Sequence, residues 1–564
     1  MTVGAWQVRS DVVALRRTPP TDRSAWLALT GCLVGLFMQM LDTTIVNIAL
    51  PDLTIDLGAS TSQQVLVLSV YTLAFACTLL TAATLGGRLG RRRIFIVAMI
   101  AFVVTSTLCG LAQSPVELIV FRGVQGMSAA LMSAQTLALI AALFPKSRHG
   151  LVFGIYGAVA GLAAMLGPVI GGVLVTANVL GWGWRTIFFV NVPLGVLACV
   201  LAWSRLPQLR ETHRRRFDAL GVALSSGGLF LLLYPLAVGR EQDWPTRLWI
   251  MLGAGAVLLA AFVVVERRLL AGGGAPLLRL DLFASRSFSV GLLLSLLFFS
   301  VFAGFFFTVS VTVQFGLGYS ALRTGLLALP FALGAAVGSV LSPLLVSRIG
   351  PALTLSAGVT TTSAGLAWLG FALQPQSGEL SIPAVLAPLI VGGIGTGFFV
   401  APLQTAILSD TSPENVGSAS GCVPTVQQIG ASIGLAIVTI FFFGQVGAQA
   451  GSAVADTRAE LVVALQQSPV DPMFRDTVAN RFATCAEKQL TSAHPESPAP
   501  GCAASTTRQT GIAARLAEQA SGELRTAGRA VAARSFLGAF QVTLWALAAV
   551  GLIIGALALL LRRR

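Results

Sequence analysis

The feature that most constrains this chain is a series of apolar runs, each about 20 residues or longer, between residues 25 and 561. An α-helix needs about 20 apolar residues to cross the hydrocarbon core of a membrane. Because 55% of the residues are hydrophobic and only 11% are charged, the chain has too little charge for a soluble surface. We therefore predict an all-α integral membrane protein with about fourteen transmembrane helices.

The basic residues predict the orientation of these helices. With a cytoplasmic N-terminus, about 23 of the 37 Lys and Arg residues fall in the tails and loops on the cytoplasmic side. Positive charge in short loops stays on that side of the membrane. Both basic ends, residues 1–24 and 562–564, are then cytoplasmic, which requires an even number of spans. We expect a multi-pass protein of the bacterial plasma membrane.

One long polar segment, residues 446–535, separates the last two predicted spans and is expected outside the cell. It contains Ala-rich stretches that favour helices, at 452–466 and 511–534, around a Pro/Ser-rich centre. Cys485 and Cys502 lie in this segment, and an oxidising compartment favours a disulfide between them. The alternative is a pair of free thiols in a flexible loop.

Several classes of function are excluded by what the sequence lacks. The basic residues form no continuous face, so we expect no nucleic-acid partner. Neither Lys follows a Gly, so there is no Gly-Lys-Ser/Thr loop to bind ATP phosphates. The three His residues lie in unrelated loops, and no His-Glu-x-x-His motif occurs. We expect neither an enzyme nor a metal site, and no cofactor.

Two charged residues lie inside apolar runs, where a charge at the helix centre costs about 2.5–3.5 kcal/mol or more. Asp42 is in the first predicted span and could load and release protons; alternatively, it is a structural carboxylate. Arg122 is in the fourth span and cannot lose its charge, so it must be paired or face water. A pair of Asp42 with Arg122 that separates during a conformational change would couple proton movement to that change. The alternative is a static buried ion pair.

Four groups of residues resemble the fourteen-span drug:proton antiporters of the major facilitator superfamily. The first-span signature matches over 41–51, as Leu-Asp-Thr-Thr-Ile-Val-Asn-Ile-Ala-Leu-Pro. The other matches lie in the fourth span, in the fifth span and at the start of the sixth: Arg122, Gln125 and Gly126; Gly161, Gly167, Pro168, Gly171 and Gly172; and Trp184, Arg185, Asn191, Pro193 and Gly195. In the second half the resemblance rests on the span count and on residues 428–430.

The resemblance implies two six-helix halves, 25–203 and 287–561, that rock about a central apolar cavity. Two linker helices, 217–267, lie between the halves, and the 446–535 loop interrupts the second half. It further implies proton coupling by Asp42 and Arg122 and a bendable fifth span at the Gly-Pro-x-x-Gly-Gly motif. The cytoplasmic loop between the second and third spans would act in gating through Arg88, Gly90, Arg91 and Arg92.

Two departures from the family pattern qualify these expectations. The loop at residues 85–93 lacks the Asp that the family normally carries beside Gly-Arg-Arg, so the gating salt bridge attributed to that Asp is in doubt. Family members that handle dications often have acids deep in later spans, whereas Glu266, Asp410 and Glu414 are only near span ends. This favours neutral or monocationic substrates.

The sequence thus predicts a monomeric antiporter that exports lipophilic drugs or natural products in exchange for protons, with membrane lipids as its surroundings. The closest alternative is an exporter of a lipid or cell-envelope precursor with the same fold, whose outside segment could receive cargo. A membrane sensor that transports nothing would leave Asp42 unexplained. A nutrient importer fits poorly with the motif at residues 167–172.

Overall fold

The computed structural model describes residues 22–178, 181–207, 218–240, 242–272, 274, 276–411, 416–492, 502 and 520–561. Within these ranges the chain is helical and contains no β-strand. Thirteen helices of this described part of the chain are long and apolar enough to span a membrane, which confirms the all-α membrane fold. The tails 1–24 and 562–564 lie almost wholly outside the described ranges.

The first part of the chain forms five long helices and one broken helix. The sixth predicted span is divided into a single turn, α6, and a longer helix, α7. These elements are α1 (Asp22–Leu57), α2 (Thr61–Leu89), α3 (Arg91–Leu111), α4 (Pro115–Leu143), α5 (His149–Ala177), α6 (Thr186–Phe189) and α7 (Asn191–Arg205).

The two linker helices follow as separate helices, and the second part of the chain begins at α10. The end of α10 continues as a π-helical turn, Thr312–Gly316. The elements are α8 (Ala219–Val238), α9 (Thr246–Ala271), α10 (Arg286–Val311), α11 (Ala321–Ile349), α12 (Pro351–Ala372), α13 (Ile382–Leu408), α14 (Val416–Gln466), α15 (Pro472–Leu490) and α16 (Ser521–Ala558).

Serine residues set the start of several of these helices. Ser60 caps α2 through its hydroxyl, and Gln63 returns a bond to the Ser60 backbone N–H at 2.9 Å, which makes a capping box. Ser114 caps α4, with Pro115 in the first turn of the helix, where the missing N–H costs nothing. Ser285 caps α10 in the same way. The short polar breaks in the sequence therefore fix where the apolar helices begin.

The helix α12 corresponds to the eleventh predicted span but is not one of the thirteen helices that are long and apolar enough to span a membrane. Thr354, Thr362 and Ser363 are buried within it and lower its mean hydropathy. Thr362 Oγ1 bonds to the backbone carbonyls of Gly358, at 3.1 Å, and Gly392 of α13, at 3.3 Å. The Thr354 hydroxyl also has a partner, the Gly350 carbonyl at 2.8 Å, so both threonines can be buried inside the bundle. The count of fourteen spans stays a prediction.

Two large clusters of buried hydrophobic side chains form the core. One is built from α1 to α5 and α7, and the other mainly from α10 to α14 and α16. The linker helices pack against both parts: Leu229 and Leu233 of α8 contact Ala76 of α2, whereas Phe262 of α9 belongs to the second cluster. The division of the chain into two six-helix halves remains our proposal, and this packing supports it.

The turn between α2 and α3 is a single residue, Gly90. Its φ of +98° lies in the region that residues with a side chain rarely adopt. The Gly90 N–H closes α2 on the carbonyl of Gly86, and its own carbonyl accepts the first bond of α3, from Ile94, both at 3.0 Å. Glycine at this position allows the two helices to follow each other directly.

An ion pair at the opposite end of the first part connects α1 to the segment before α6. The guanidinium of Arg185 bonds to Asp56, and the indole N–H of Trp184 donates to the same carboxylate at 3.0 Å. The hydrogen bonds from Arg185 and then Trp184 lower the pKa of Asp56 below its usual value. A second Arg185 nitrogen donates to the Ala112 carbonyl, just after α3, at 3.2 Å. This contact network therefore holds three parts of the bundle together.

The segment 446–535 differs from the predicted loop because the two adjoining spans continue into it as helices. The helix α14 is 51 residues long, so it runs well past the predicted end of its span at residue 445. The helix α16 begins at Ser521, before the predicted start at residue 536. With α15, these extensions form a helical projection, which we define as the described residues between 446 and 535.

The projection has its own small hydrophobic core, and an arginine connects it to the loop after α12. Buried side chains of the three helices meet in this core, among them Leu465, Ala479 and Ala527. Arg534 of α16 bonds to Glu460 of α14 at 2.6 Å and to the backbone carbonyl of Gln376 at 3.0 Å. The projection is therefore a packed structure that contacts the loop after α12.

Candidate functional site

Asp42 and Arg122, the two charged residues predicted inside spans, form a buried ion pair. Asp42 lies in the middle of α1 and has no exposed surface; Arg122 lies in the first half of α4 and is 1% exposed. Nη1 of Arg122 donates to Oδ2 of Asp42. Because an unpaired charge at this depth would be costly, each residue provides the partner that the other requires.

Two amide side chains complete the hydrogen bonding of the Asp42 carboxylate. Nε2 of Gln125 donates to Oδ1 of Asp42 at 3.0 Å, and Nδ2 of Asn191 approaches the same oxygen at 3.4 Å. Oε1 of Gln125 accepts from Nη1 of Arg122 at 2.9 Å, so Gln125 contacts both members of the pair. The donors that reach Asp42 are therefore all side-chain N–H groups.

An aromatic ring and a backbone carbonyl hold the Arg122 guanidinium from the side of α2. Its central carbon lies 4.3 Å from the ring centre of Tyr71, within the range of a cation–π interaction. Its Nε is 3.5 Å from the carbonyl oxygen of Val67. The guanidinium thus keeps favourable contacts that do not involve Asp42.

Ser106 of α3 connects Asn191 to the short helix α6. Nδ2 of Asn191 donates to the Ser106 hydroxyl at 3.0 Å, and that hydroxyl donates to the Phe188 carbonyl at 2.9 Å. We define the ion-pair site as Asp42, Arg122, Gln125, Asn191, Tyr71 and Ser106. Its residues come from five helices, so a change in the charge of the site acts on the packing of most of the first part of the chain.

The predicted antiporter motif places α5 in close contact with α1 on one face. A methyl group on Gly167 would lie 1.9 Å from the Thr44 hydroxyl and 3.1 Å from the Ile45 backbone nitrogen. A methyl group on Gly171 would lie 2.9 Å from the Ile45 side chain. Only glycine allows this approach, which occurs two and three residues after Asp42 in α1.

The other face of α5 packs against α11, in the second part of the chain. A methyl group on Gly172 would contact Leu322 at 3.3 Å, and one on Gly325 of α11 would lie 2.8 Å from the Pro168 ring. Further along, Gly154 approaches the Ser339 carbonyl of α11. Gly161 faces open space, because a methyl group there would meet nothing within 4 Å. The helix that contacts the Asp42 helix therefore also forms a contact between the two parts.

The predicted gating loop lies around the α2–α3 turn, apart from the ion-pair site. Arg88 lies in the last turn of α2 and is exposed, whereas Arg91 is 7% exposed at the start of α3. Arg92 donates to the Trp203 carbonyl at the end of α7 and lies 5.9 Å from the centre of the Trp203 ring. With Gly90 at the turn, these residues connect α2, α3 and α7.

The two cysteines of the projection are joined in a disulfide, Cys485–Cys502. The other five cysteines are free, and three of them, Cys32, Cys109 and Cys422, are buried. Over the described residues, no group of three or more His, Cys, Asp or Glu side chains could hold a metal ion.

Some residues of the ion-pair site carry little signal in the sequence. Gln125 and Asn191 occur in the family motifs, but the sequence does not indicate that both bond to Asp42. Tyr71 and Ser106 are neutral residues of a kind found in many spans. For Tyr71 one weak signal exists, since the chain has only four Tyr among many Phe.

Comparisons with known proteins identify the family. The model of the Major Facilitator Superfamily matches residues 32–435. The "Probable actinorhodin transporter" of Streptomyces coelicolor is 36% identical over 79% of this chain and 78% of its own length. The "Multidrug resistance protein Stp" of Mycobacterium tuberculosis is 34% identical over 74% of this chain and 76% of its own length.

A solved structure shows the same fold at low sequence identity. The human organic anion transporter MFSD10 superimposes with a TM-score of 0.54 and 16% identity, over 73% of this chain and 92% of its own. The family match covers most of the chain, including the ion-pair site and the α1–α5–α11 contacts. The chain belongs to the major facilitator superfamily of membrane transporters.

Proposed function

We propose that this transporter exports lipophilic, neutral or monocationic drugs or natural products across the bacterial plasma membrane in exchange for protons. The observation that carries the proposal is the buried pair of Asp42 and Arg122, whose Asp42 lies on a helix that packs directly against α5. The names of the two relatives, the "Probable actinorhodin transporter" and the "Multidrug resistance protein Stp", support drug export.

The proposed mechanism begins with a proton that competes with Arg122 for Asp42. Protonation removes the negative charge, and Arg122 keeps its contacts with Gln125 and the Tyr71 ring. The attraction between α1 and α4 weakens, and α1 shifts against Gly167 and Gly171. Because α5 also packs on α11, the shift changes the contact between the two halves. Alternating access then follows from rocking of one half against the other.

The driving force is sufficient for useful export. One proton that moves down a membrane potential of about 100 mV supplies about 2.3 kcal/mol. Since about 1.4 kcal/mol corresponds to a tenfold ratio, this sustains a gradient of about fifty-fold for a neutral substrate. For a monocation exchanged against one proton, the potential cancels and only the pH difference drives export.

The test is accumulation of neutral and monocationic lipophilic dyes in an efflux-deficient bacterium that expresses the protein. Wild type, Asp42→Asn and Asp52→Asn would be compared at matched membrane expression, with and without a protonophore. Asp52 is an exposed Asp on the same helix, so its variant controls for the substitution itself. We expect wild type and Asp52→Asn to lower accumulation, and Asp42→Asn or the protonophore to abolish the effect.

Other outcomes separate the parts of the proposal. If the protonophore abolishes export but Asp42→Asn does not, the transporter is proton-driven and the proposed proton site is wrong. If no dye is exported, drug export is refuted for that panel, and lipid cargo is the next candidate.

A second candidate function is export of a lipid or cell-envelope precursor, which the helical projection favours. A packed, disulfide-linked structure on the predicted outside could receive a cargo that must not enter water. An altered lipid or envelope composition in a deletion strain, restored by the wild-type gene, would support this function over drug export.

A further inference from the structure

Two carboxyl groups meet where the linker helices α8 and α9 come together, at the predicted cytoplasmic end. Asp218 is the N-cap of α8, and Glu266 lies near the end of α9. A methyl group on Gly221 would be 2.3 Å from Oδ2 of Asp218 and 2.5 Å from Oε1 of Glu266. The two oxygens therefore lie within about 5 Å of each other.

In each carboxyl group, the oxygen that points away from the other group accepts a hydrogen bond. The two oxygens that face each other have no donor. Oδ1 of Asp218 accepts the Gly221 backbone N–H at 2.8 Å, and Oε2 of Glu266 accepts the Leu278 N–H at 3.1 Å. Oδ2 of Asp218 and Oε1 of Glu266 are buried without a hydrogen-bond partner. Glu266 has no exposed surface at all. Two ionised carboxylates could only repel in this position, because each is an acceptor without a proton to donate.

Among the residues that the structure describes, no salt bridge joins a basic side chain to either carboxyl group. Asp218 acts on Glu266 as a nearby acidic group. On the same helix, Arg267 and Arg268 are exposed. Arg279, in the segment that follows, bonds to Asp281 at 2.6 Å.

We propose that Asp218 and Glu266 bind one proton between them and thus form a second protonation site, separate from Asp42. The proton lies between the facing oxygens, so one carboxyl group donates an O–H bond to the other. Two carboxylates that share a site commonly keep one proton, because the second negative charge is strongly disfavoured. This protonation site consists of these two residues alone and does not depend on which substrate the transporter carries.

The position of the site gives the proton a structural consequence. Glu266 holds the backbone of Leu278, and the next residue, Arg279, donates its N–H to the Ser418 hydroxyl of α14 at 3.0 Å. The segment between α9 and α10 is therefore fixed to both α9 and α14. When the pair loses its proton, the repulsion between two carboxylates loosens this attachment. Alkaline conditions should thus release the linker helices from the second part of the chain.

The test is an infrared pH titration of the purified full-length protein, between about pH 5 and 9, which spans the range around neutrality. Wild type should show the carbonyl band of a protonated carboxylic acid, and this band should disappear as the pH rises. Asp218→Asn and Glu266→Gln should each abolish the band, because the introduced amide N–H can take the place of the shared proton. Asp281→Asn, which alters an exposed acid nearby, should leave the band unchanged.

Asp218→Asn also protects the test against misfolding, since Asn is as good an N-cap residue as Asp. A wild-type protein without the band at any pH would overturn the proposal. A band that persists in both Asp218→Asn and Glu266→Gln would overturn it equally. Asp42→Asn should keep the band, and its loss there would assign the proton to the ion-pair site instead.

Discussion

Removal of one charge at a time from the ion-pair site should have unequal effects on stability. Asp42→Asn leaves the Arg122 guanidinium buried without a counter-charge, and Arg122 cannot neutralise itself by losing a proton. Breaking a buried pair in this way costs about 3–5 kcal/mol. Arg122 keeps the Gln125 contact at 2.9 Å and the Tyr71 ring at 4.3 Å. We therefore expect a cost near the lower limit, about 3 kcal/mol.

Arg122→Gln should cost less than Asp42→Asn, because Asp42 can take up a proton when its partner is lost. The double variant should recover most of the stability, since it contains no unpaired buried charge. All three variants should lose proton-driven export, because none of them retains the titratable pair. Stability and transport should thus separate in the double variant.

The assay is the midpoint of thermal unfolding for wild type, the two single variants and the double variant, purified at matched concentration in one detergent. Asp52→Asn serves as the control and should fall within about 0.5 kcal/mol of wild type, as surface substitutions usually do. Two results would refute the reasoning: an Asp42→Asn protein as stable as wild type, or a double variant less stable than Asp42→Asn alone.

Three further predictions concern other parts of the chain. Gly171→Ala should reduce dye export and lower the free energy of unfolding by about 1–3 kcal/mol, because the added methyl group overpacks the α1 contact. Gly253→Ala should be neutral, because a methyl group there meets nothing within 4 Å. Equal effects of the two substitutions would contradict the packing argument. Cys485→Ser should destabilise the projection by about 3 kcal/mol, because the disulfide closes a loop with a separation of 17 residues. Limited proteolysis measures this loss as faster cleavage of the projection. A reductant should speed cleavage of wild type but not of the variant. Because the bond from Arg185 lowers the pKa of Asp56, that ion pair stabilises the protein above the unfolded pKa of about 3.9 and stops doing so as the pH falls through the lower folded value. The difference in unfolding midpoint between wild type and Asp56→Asn should therefore be constant near neutral pH and shrink below about pH 4; a difference that grows there would be contrary to this sign.

The sequence was sufficient to find the charged members of the ion-pair site but not their neutral neighbours. Asp42 and Arg122 are conspicuous because a charge in a span is costly, whatever lies around it. Tyr71 and Ser106 are neutral, so placing them in a span costs little free energy. Their role in the site depends on how α2 and α3 are rotated against α1 and α4. Helix periodicity does not give that rotation between separate helices, so only the structure could identify these residues.

Two other features were missed because sequence arguments treat each segment separately. A change in hydropathy predicts a boundary between residues 446–535 and the adjoining spans. Backbone hydrogen bonding continues through such a boundary, and α14 passes it without a break. The sequence places Glu266 near a span end and does not indicate its contact with a second carboxyl group. Its partner, Asp218, is distant in sequence and lies at the start of the predicted linker-helix segment 217–267, where nothing indicates a contact with Glu266.

The continuity of α14 gives the projection a mechanical role. At about 1.5 Å per residue, the 21 residues beyond position 445 extend about 30 Å from the predicted membrane surface. The helix acts as a rigid lever, so a tilt of about 10° in the bundle would displace its tip by about 5 Å. Arg534, which joins α14 and α16 to the loop after α12, should make the projection follow the second half of the bundle as one body. A distance label near residue 465 would then report the conformational state of the membrane domain from outside the membrane.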